Sequence, residues 1–306
     1  MTGHGQTDIF IADATDRIGG LHAILTEFDL SVLSGAAVAL KANFNSDDPF
    51  PASTHIDVLR GIAGSIMDER PAHLTLAERS GMGTTRAVLE NRGVFALGHE
   101  LGFSVVALDE IERNGWQEIP APGLHWQRGF FIASIFTRAE RVIQTCCLKT
   151  HRYGGHFTMS LKNSVGLIAK RVPGLDYDFM SELHTSPHQR TMIAEINRFY
   201  STDLVIMDAT EGFATGGPDK GKLIRPGVII GGRDRVAIDA TGVALLRSFG
   251  TSHDASEGTI FSLEQIARAA EIGAGVSSAD QIRLVPLDAP SEPVAEKIQA
   301  QFDNGG

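Results

Sequence analysis

A chain of 306 residues, 42% hydrophobic and with a mean hydropathy of −0.02, is long enough for one large α/β domain or two ordinary ones. No stretch approaches the roughly 18 apolar residues that would cross a bilayer, so no membrane partner is expected. A net charge of −10, from 27 basic and 37 acidic residues, excludes a general nucleic-acid surface but leaves room for a local basic pocket.

In chain order, short apolar runs at 8–12, 36–43, 73–78, 103–108, 129–134 and 141–148 are predicted strands, as are 204–208, 227–230 and 281–284. Between them, helical spacing predicts helices over 17–28, 55–67, 85–101, 157–170, 187–200, 235–248 and 263–272. Ser53 is read as the N-cap of the second helix. The alternation predicts an α/β fold, with a mixed or mostly parallel sheet flanked by helices. The stretch 114–127, with its prolines, glycines and both tryptophans, is read as a lid or strand-free excursion and as the place for a lobe break within one α/β unit. The opening MTGHGQTDIF has neither a basic start nor an apolar core, so no secretory signal is read and a cytoplasmic location is expected. The adjacent Cys146 and Cys147 are expected to be reduced, buried thiols in a strand. Asn304, Gly305 and Gly306 are expected to fray.

The segment TCCLKTHRYGGHFTMSLKNSVG (145–166) gathers donors and imidazoles where a strand meets a helix, the place open α/β folds put ligands. Lys149 and His151 share a side if extended. Gly154 and Gly155 permit a tight turn or close ligand approach, and Lys162 and Asn163 follow early in the next helix. Lysines holding a carboxylate or phosphate, with His151 moving a proton, is the chemistry this pattern supports. Four of the eleven histidines (His151, His156, His184, His188) fall between 151 and 188. The i,i+4 spacing of His184 and His188 is that of a two-imidazole metal site, which Pro187 interrupts. Together with Asp208 they form the candidate set for a divalent metal.

The loop DATEGFATGGPDKGK contains Gly216, Gly217 and the Gly221-Lys222 pair, but Leu223 stands where a nucleotide-triphosphate loop needs a hydroxyl, so that reading is rejected. A glycine-rich loop over a ligand, or an exposed hairpin, remain the alternatives, with Asp208 and Glu211 available as base or metal ligands. The run from Glu78 to Arg86 follows a strand and precedes a helix, which suits either an anion at the helix start or simple capping. Lys41 and Asn43 end another strand. Arg233 and Asp234 are placed at the pocket's flank, with Asp239 capping or orienting the helix that follows.

Taken in order, VALKANF, LTLAERSGMGTT, CLKTHRYGGHFTMSLKNSVGL, LHTSPH, VIMDATEGFATGGP and IIGGRDRVAIDATG resemble the DUF362 family over roughly residues 38–250. Some members carry a ferredoxin-like cluster domain rich in cysteine. With two cysteines here, no iron–sulfur cluster is expected. A shorter stretch is similar to nickel-pincer lactate racemases, whose His…Gly-Gly…Lys arrangement would correspond to His151, Gly154, Gly155 and Lys162. The sequence reading is therefore an enzyme acting on a small anionic partner by isomerase- or lyase-like proton transfer. A non-catalytic metal- or ligand-binding accessory protein, or a scaffold with a vestigial pocket, are the alternatives. A homo-oligomer is compatible with either.

Overall fold

The computed structural model describes residues 6–154 and 156–304. The first half runs β1 (Thr7–Asp13), α1 (Arg17–Thr26), β2 (Ala37–Lys41), α2 (Ile56–Asp68), β3 (His73–Glu78), α3 (Thr85–Asn91), α4 (Val94–Leu101), β4 (Ser104–Ala107), β5 (Trp116–Ile119), β6 (Phe130–Ala133), α5 (Ser134–Arg138) and β7 (Arg141–His151). There follow β8 (His156–Phe157), α6 (Ser160–Asn163), α7 (Phe179–Thr185), α8 (Gln189–Ile196), β9 (Leu204–Thr215), β10 (Lys222–Ile224) and β11 (Val228–Gly232). The chain closes with α9 (Arg235–Ser248), α10 (His253–Ser256), α11 (Glu264–Glu271), β12 (Ile282–Pro286) and α12 (Glu292–Asp303).

Ten strands form one mixed sheet in the order β12-β1-β11-β9-β7-β2-β3-β4, with β10 beside β9 and β8 beside β7. The run β9-β7-β2-β3-β4 is parallel throughout. From β2 the chain builds outward through β3 to β4, then returns to lay β7 and β9 on the other side of β2. Connections therefore leave in opposite directions on either side of the β2–β7 seam, which opens a crevice at the strands' carboxyl ends.

Alternation along the strands fills both faces. In β9, Leu204 and Ile206 face the core under α1, α2 and α4, whereas Val205, Met207 and Ala209 face that under α9, α11 and α12. In β2, Val38 and Leu40 join the former and Ala39 meets a third core, built from the β5–β6 hairpin with α7 and α8. The helix α9 is buried almost all round, as a helix between two layers must be. Its N-cap Asp234 accepts from Val236 N (2.8 Å) and Ala237 N (2.9 Å).

Several sequence expectations change. Residues 114–127 are not strand-free: β5 pairs with β6, and Trp116 and Trp126 are buried in the third core. The predicted helix 85–101 is two, because Gly93 sits at φ +74° between them. The predicted helix 157–170 is replaced by β8, the single turn α6 and a 3₁₀ turn over Ser164–Leu167. The carboxylate of Asp239, on α9, accepts from Ser160 N (2.7 Å) and Leu161 N (3.1 Å), so it caps α6, which precedes it in the chain, and not the helix that follows. The N-cap of α2 is His55, while Ser53 donates to Ser46 O (2.8 Å). α12 went unread in the sequence. No described helix is long and apolar enough to cross a membrane. Gly305 and Gly306 lie outside the described residues.

Candidate functional site

The parallel strands deliver charged side chains to the crevice. β2 ends at Lys41, β3 at Glu78, and β7 runs on to Lys149 and His151, while α6 supplies Lys162 and Asn163. They line a narrow cavity of about 40 Å³ together with Arg79. The cavity opens into an outer chamber of about 400 Å³, where Met82, Tyr153, Met180 and His184 join the wall. The outer chamber has the dimensions of a small-molecule site. Lysine is seldom buried unless paired, yet Lys41 and Lys149 are each only 1% exposed. Among the described residues Glu78 is the sole carboxylate on the inner wall, against Lys41, Lys149, Lys162 and Arg79.

The four cations are held differently. Lys41 Nζ lies 2.7 and 2.8 Å from the two Glu78 oxygens and also donates to Ala42 O (2.5 Å) and Asn163 Oδ1 (2.9 Å). This pair needs Gly166, since a Cβ there would lie 2.5 Å from Glu78 Oε1 and 2.8 Å from Lys41 Nζ. Burial lowers the Lys41 pKa, and the Glu78 charge opposes that shift. Arg79 is fixed by carbonyls, donating to Ile168 O (2.7 Å), Val165 O (2.8 Å) and Ser80 O (3.1 Å), with burial lowering its pKa. Lys149 donates to Asn43 Oδ1 (2.7 Å) and to Ala52 O, leaving one of its three hydrogens uncommitted. Burial lowers its pKa too.

Lys162 is the exception. Among the described residues its ammonium has no hydrogen-bond or ion-pair partner, and it borders both the cavity and the outer chamber. Burial, and then the nearby Lys149 and Arg79, bring its pKa down to about 8. His151 shares the cavity. Its Nδ1 is buried without a partner, and burial followed by the charges of Lys162 and Lys149 holds its pKa well below the ordinary imidazole value. It is a neutral imidazole facing cations.

The remaining expected residues take supporting places. Asn163 accepts from Lys41 and donates to Thr145 O (3.0 Å), so it orients a lysine and keeps one amide hydrogen uncommitted among the described residues. Gly216 and Gly217 lie where β9 turns towards β10, an antiparallel hairpin whose tip folds onto the end of β7. Arg152 N donates to Gly216 O (2.9 Å), and a Cβ on Gly217 would fall 1.8 Å from Thr150 O. That contact brings Pro218 to the cavity wall. Gly154, at φ +78°, faces Gln189 and not the cavity. Gly155 lies outside the described residues.

The expected metal set does not assemble. Asp208 is buried beside Arg17 (3.3 Å) and Thr210, away from the cavity, and burial raises its pKa. Glu211 pairs with Arg225 (2.9 Å). His184 closes α7, its Nδ1 2.6 Å from Met180 O, whereas His188 begins α8 with its ring 4.8 Å from that of His125. Pro187 and the turn between these helices separate the two imidazoles, so the i,i+4 geometry never forms. Among the described residues no three His, Cys, Asp or Glu side chains converge to hold an ion. A cavity with four cations and one committed carboxylate does not suit a divalent cation. Arg233 and Asp234 follow β11, which is antiparallel to β9, so they lie at the opposite end of the sheet, with Arg233 donating to Asp203 O (3.1 Å).

Sequence reasoning missed Glu78 and Arg79 as cavity residues, because the run 78–86 was read for its helix start. The signal was present as a charged pair ending an apolar strand. The short α3 instead uses Thr85 as a brace: its hydroxyl accepts from Ser80 N (3.0 Å) and donates to Asp109. Cys146 and Cys147 are free and buried, with burial raising both thiols, Cys147 to about 12.

The fold and site thus define an α/β protein with a cation-lined cavity at the carboxyl ends of parallel strands. Residues 38–244 match the family described as Domain of unknown function (DUF362), and the chain belongs to that family. No curated protein matches the chain.

Proposed function

We propose that this cavity binds a small carboxylate or phosphate compound and catalyses proton transfer at a carbon next to a carbonyl, as isomerases and lyases do. The observation that carries this reading is a Lys162 ammonium with no hydrogen-bond or ion-pair partner among the described residues, in one cavity with His151, whose buried Nδ1 has none among them either. Lys149, Lys162 and Arg79 supply the field for the anion, and Lys41 with Glu78 forms the rigid wall behind it. His151 by itself is a weak base, because burial and two lysines oppose its protonation. An anion seated against those lysines offsets their field and raises the basicity of the imidazole once substrate is in place. The same lysines stabilise the enolate-like charge that forms when the proton leaves.

The test is exchange of α-hydrogens in D₂O, followed by NMR across a panel of short 2-oxo and 2-hydroxy acids. His151→Gln is expected to lower the exchange rate by about 10²–10⁴-fold, while phosphate still raises the melting temperature. Exchange left intact by His151→Gln, Lys149→Ala and Lys162→Ala alike overturns the reading. Phosphate binding with no exchange in the parent protein would favour a ligand-carrying protein without turnover.

A further inference from the structure

We propose that Lys162 is a covalent attachment point, forming an imine with the carbonyl carbon of a short 2-oxo acid whose carboxylate lies against Lys149 and Asn43. This deepens the preceding reading and rests on the same anion-binding cavity. The chain has seven lysines, and their environments single out one. Lys41 is committed to Glu78 and two further oxygens, and Lys149 to two. Lys170, Lys220, Lys222 and Lys297 are exposed. Lys162 has no partner among the described residues and borders both chambers, so its Nζ is accessible to a ligand entering through the outer one.

Lysines become nucleophiles when desolvated or placed beside other cations, because both favour the free amine. Lys162 has burial, Lys149 and Arg79 acting in that direction, to a pKa of about 8. At pH 7 about one molecule in ten carries the free amine, roughly 10²-fold more than for an ordinary lysine. Lys149 keeps one ammonium hydrogen for a carboxylate, and the Asn43 amide nitrogen is uncommitted among the described residues. The carbonyl carbon then falls between these groups and Lys162.

The chemistry balances without a co-reactant. The free amine of Lys162 adds to the carbonyl carbon, and the carbonyl oxygen leaves as water with both amine hydrogens, giving the C=N bond. The imine nitrogen takes a proton from solvent, the adjacent C–H bond releases its electron pair towards the iminium, and the neutral His151 imidazole accepts the C–H proton. An enamine results, and reprotonation with hydrolysis restores the amine.

The experiment is reductive trapping of the full chain. Protein at pH 7 is incubated with pyruvate, 2-oxoglutarate or phenylpyruvate and cyanoborohydride, digested, and mapped by mass spectrometry, with inorganic phosphate as competitor. The expected result is a reduced adduct on the Lys162 peptide in several-fold excess over the four exposed lysines. Phosphate is expected to suppress it, and it is expected to be lost in Lys162→Arg and kept in Lys297→Arg. Labelling of Lys162 no greater than that of the exposed lysines, with all three acids, overturns the imine. If phosphate still raises the melting temperature in that case, the anion-binding reading stands alone. If it does not, both fall. The parent protein decides the question even if the Lys162 variant fails to fold.

Discussion

Glu78→Gln removes the one carboxylate from the inner wall while keeping its shape. In the native chain Glu78 accepts from Lys41 Nζ, Phe44 N (3.0 Å) and Arg79 N (3.0 Å), and Lys41 is 1% exposed. Removing one partner of a buried pair costs about 3–5 kcal/mol, because the other charge stays buried and uncompensated. The amide oxygen retains part of this hydrogen bonding, which places the expected loss near the lower figure. With a urea m-value of about 3 kcal/mol/M for a chain of this size, the unfolding midpoint should fall by roughly 1 M. The pH dependence is the sharper part of the prediction. Without Glu78, the main opposition to the burial that depresses the Lys41 pKa is gone, so the folded variant sheds that proton at lower pH than the unfolded chain. Between those two pKa values the unfolded state binds more protons, and stability rises with pH. The deficit of the variant relative to the parent should therefore shrink between pH 7 and pH 9.5, as read from paired urea titrations. A deficit that is constant across that range, or a midpoint shift below about 0.2 M, refutes the buried ion-pair account.

Anion affinity should follow Lys162. The Lys162 ammonium binds the anion and titrates at about 8, so phosphate affinity measured calorimetrically should drop by roughly tenfold from pH 7 to pH 9. Lys162→Met should weaken binding and flatten that dependence. The His151 ring, held neutral by burial and two lysines, should show no NMR titration midpoint between pH 5 and 8, and a midpoint near 6.5 would sink its role. Both thiols should resist iodoacetamide at pH 8 in the folded protein and react only after denaturation, because burial holds Cys147 at about 12 and raises Cys146. Gly217→Ala places a Cβ 1.8 Å from Thr150 O, so it should displace the hairpin tip and weaken phosphate binding as well as lower the melting temperature.

Much of the site was legible because the relevant information is local. Lys149 and His151 end a continuous apolar strand, and Lys162 follows within a dozen residues, so a strand leading into a helix start was enough to place all three together. Lys41 could be read likewise from VALK. The α/β class followed from alternating periodicities, which record the faces each element must bury.

What sequence by itself determined, then, was which residues reach the carboxyl end of the sheet. Which of them is spoken for was decided only by tertiary structure, since that depends on contacts between residues far apart in the chain. Lys41 finds Glu78 37 positions away and Asn163 122 away, and is neutralised as a free cation. Asp208 finds Arg17 and is drawn away from the cavity. His184 and His188 part company because α7 and α8 are separate helices, and 157–170 folds as a short strand and two single turns, the first of them capped by Asp239 from a distant helix. Local spacing reports the preference of a segment, whereas burial and pairing are properties of the assembled core and can override it. Among the described residues Lys162 is a free cation because the carboxylate on the cavity wall, Glu78, is already paired with Lys41.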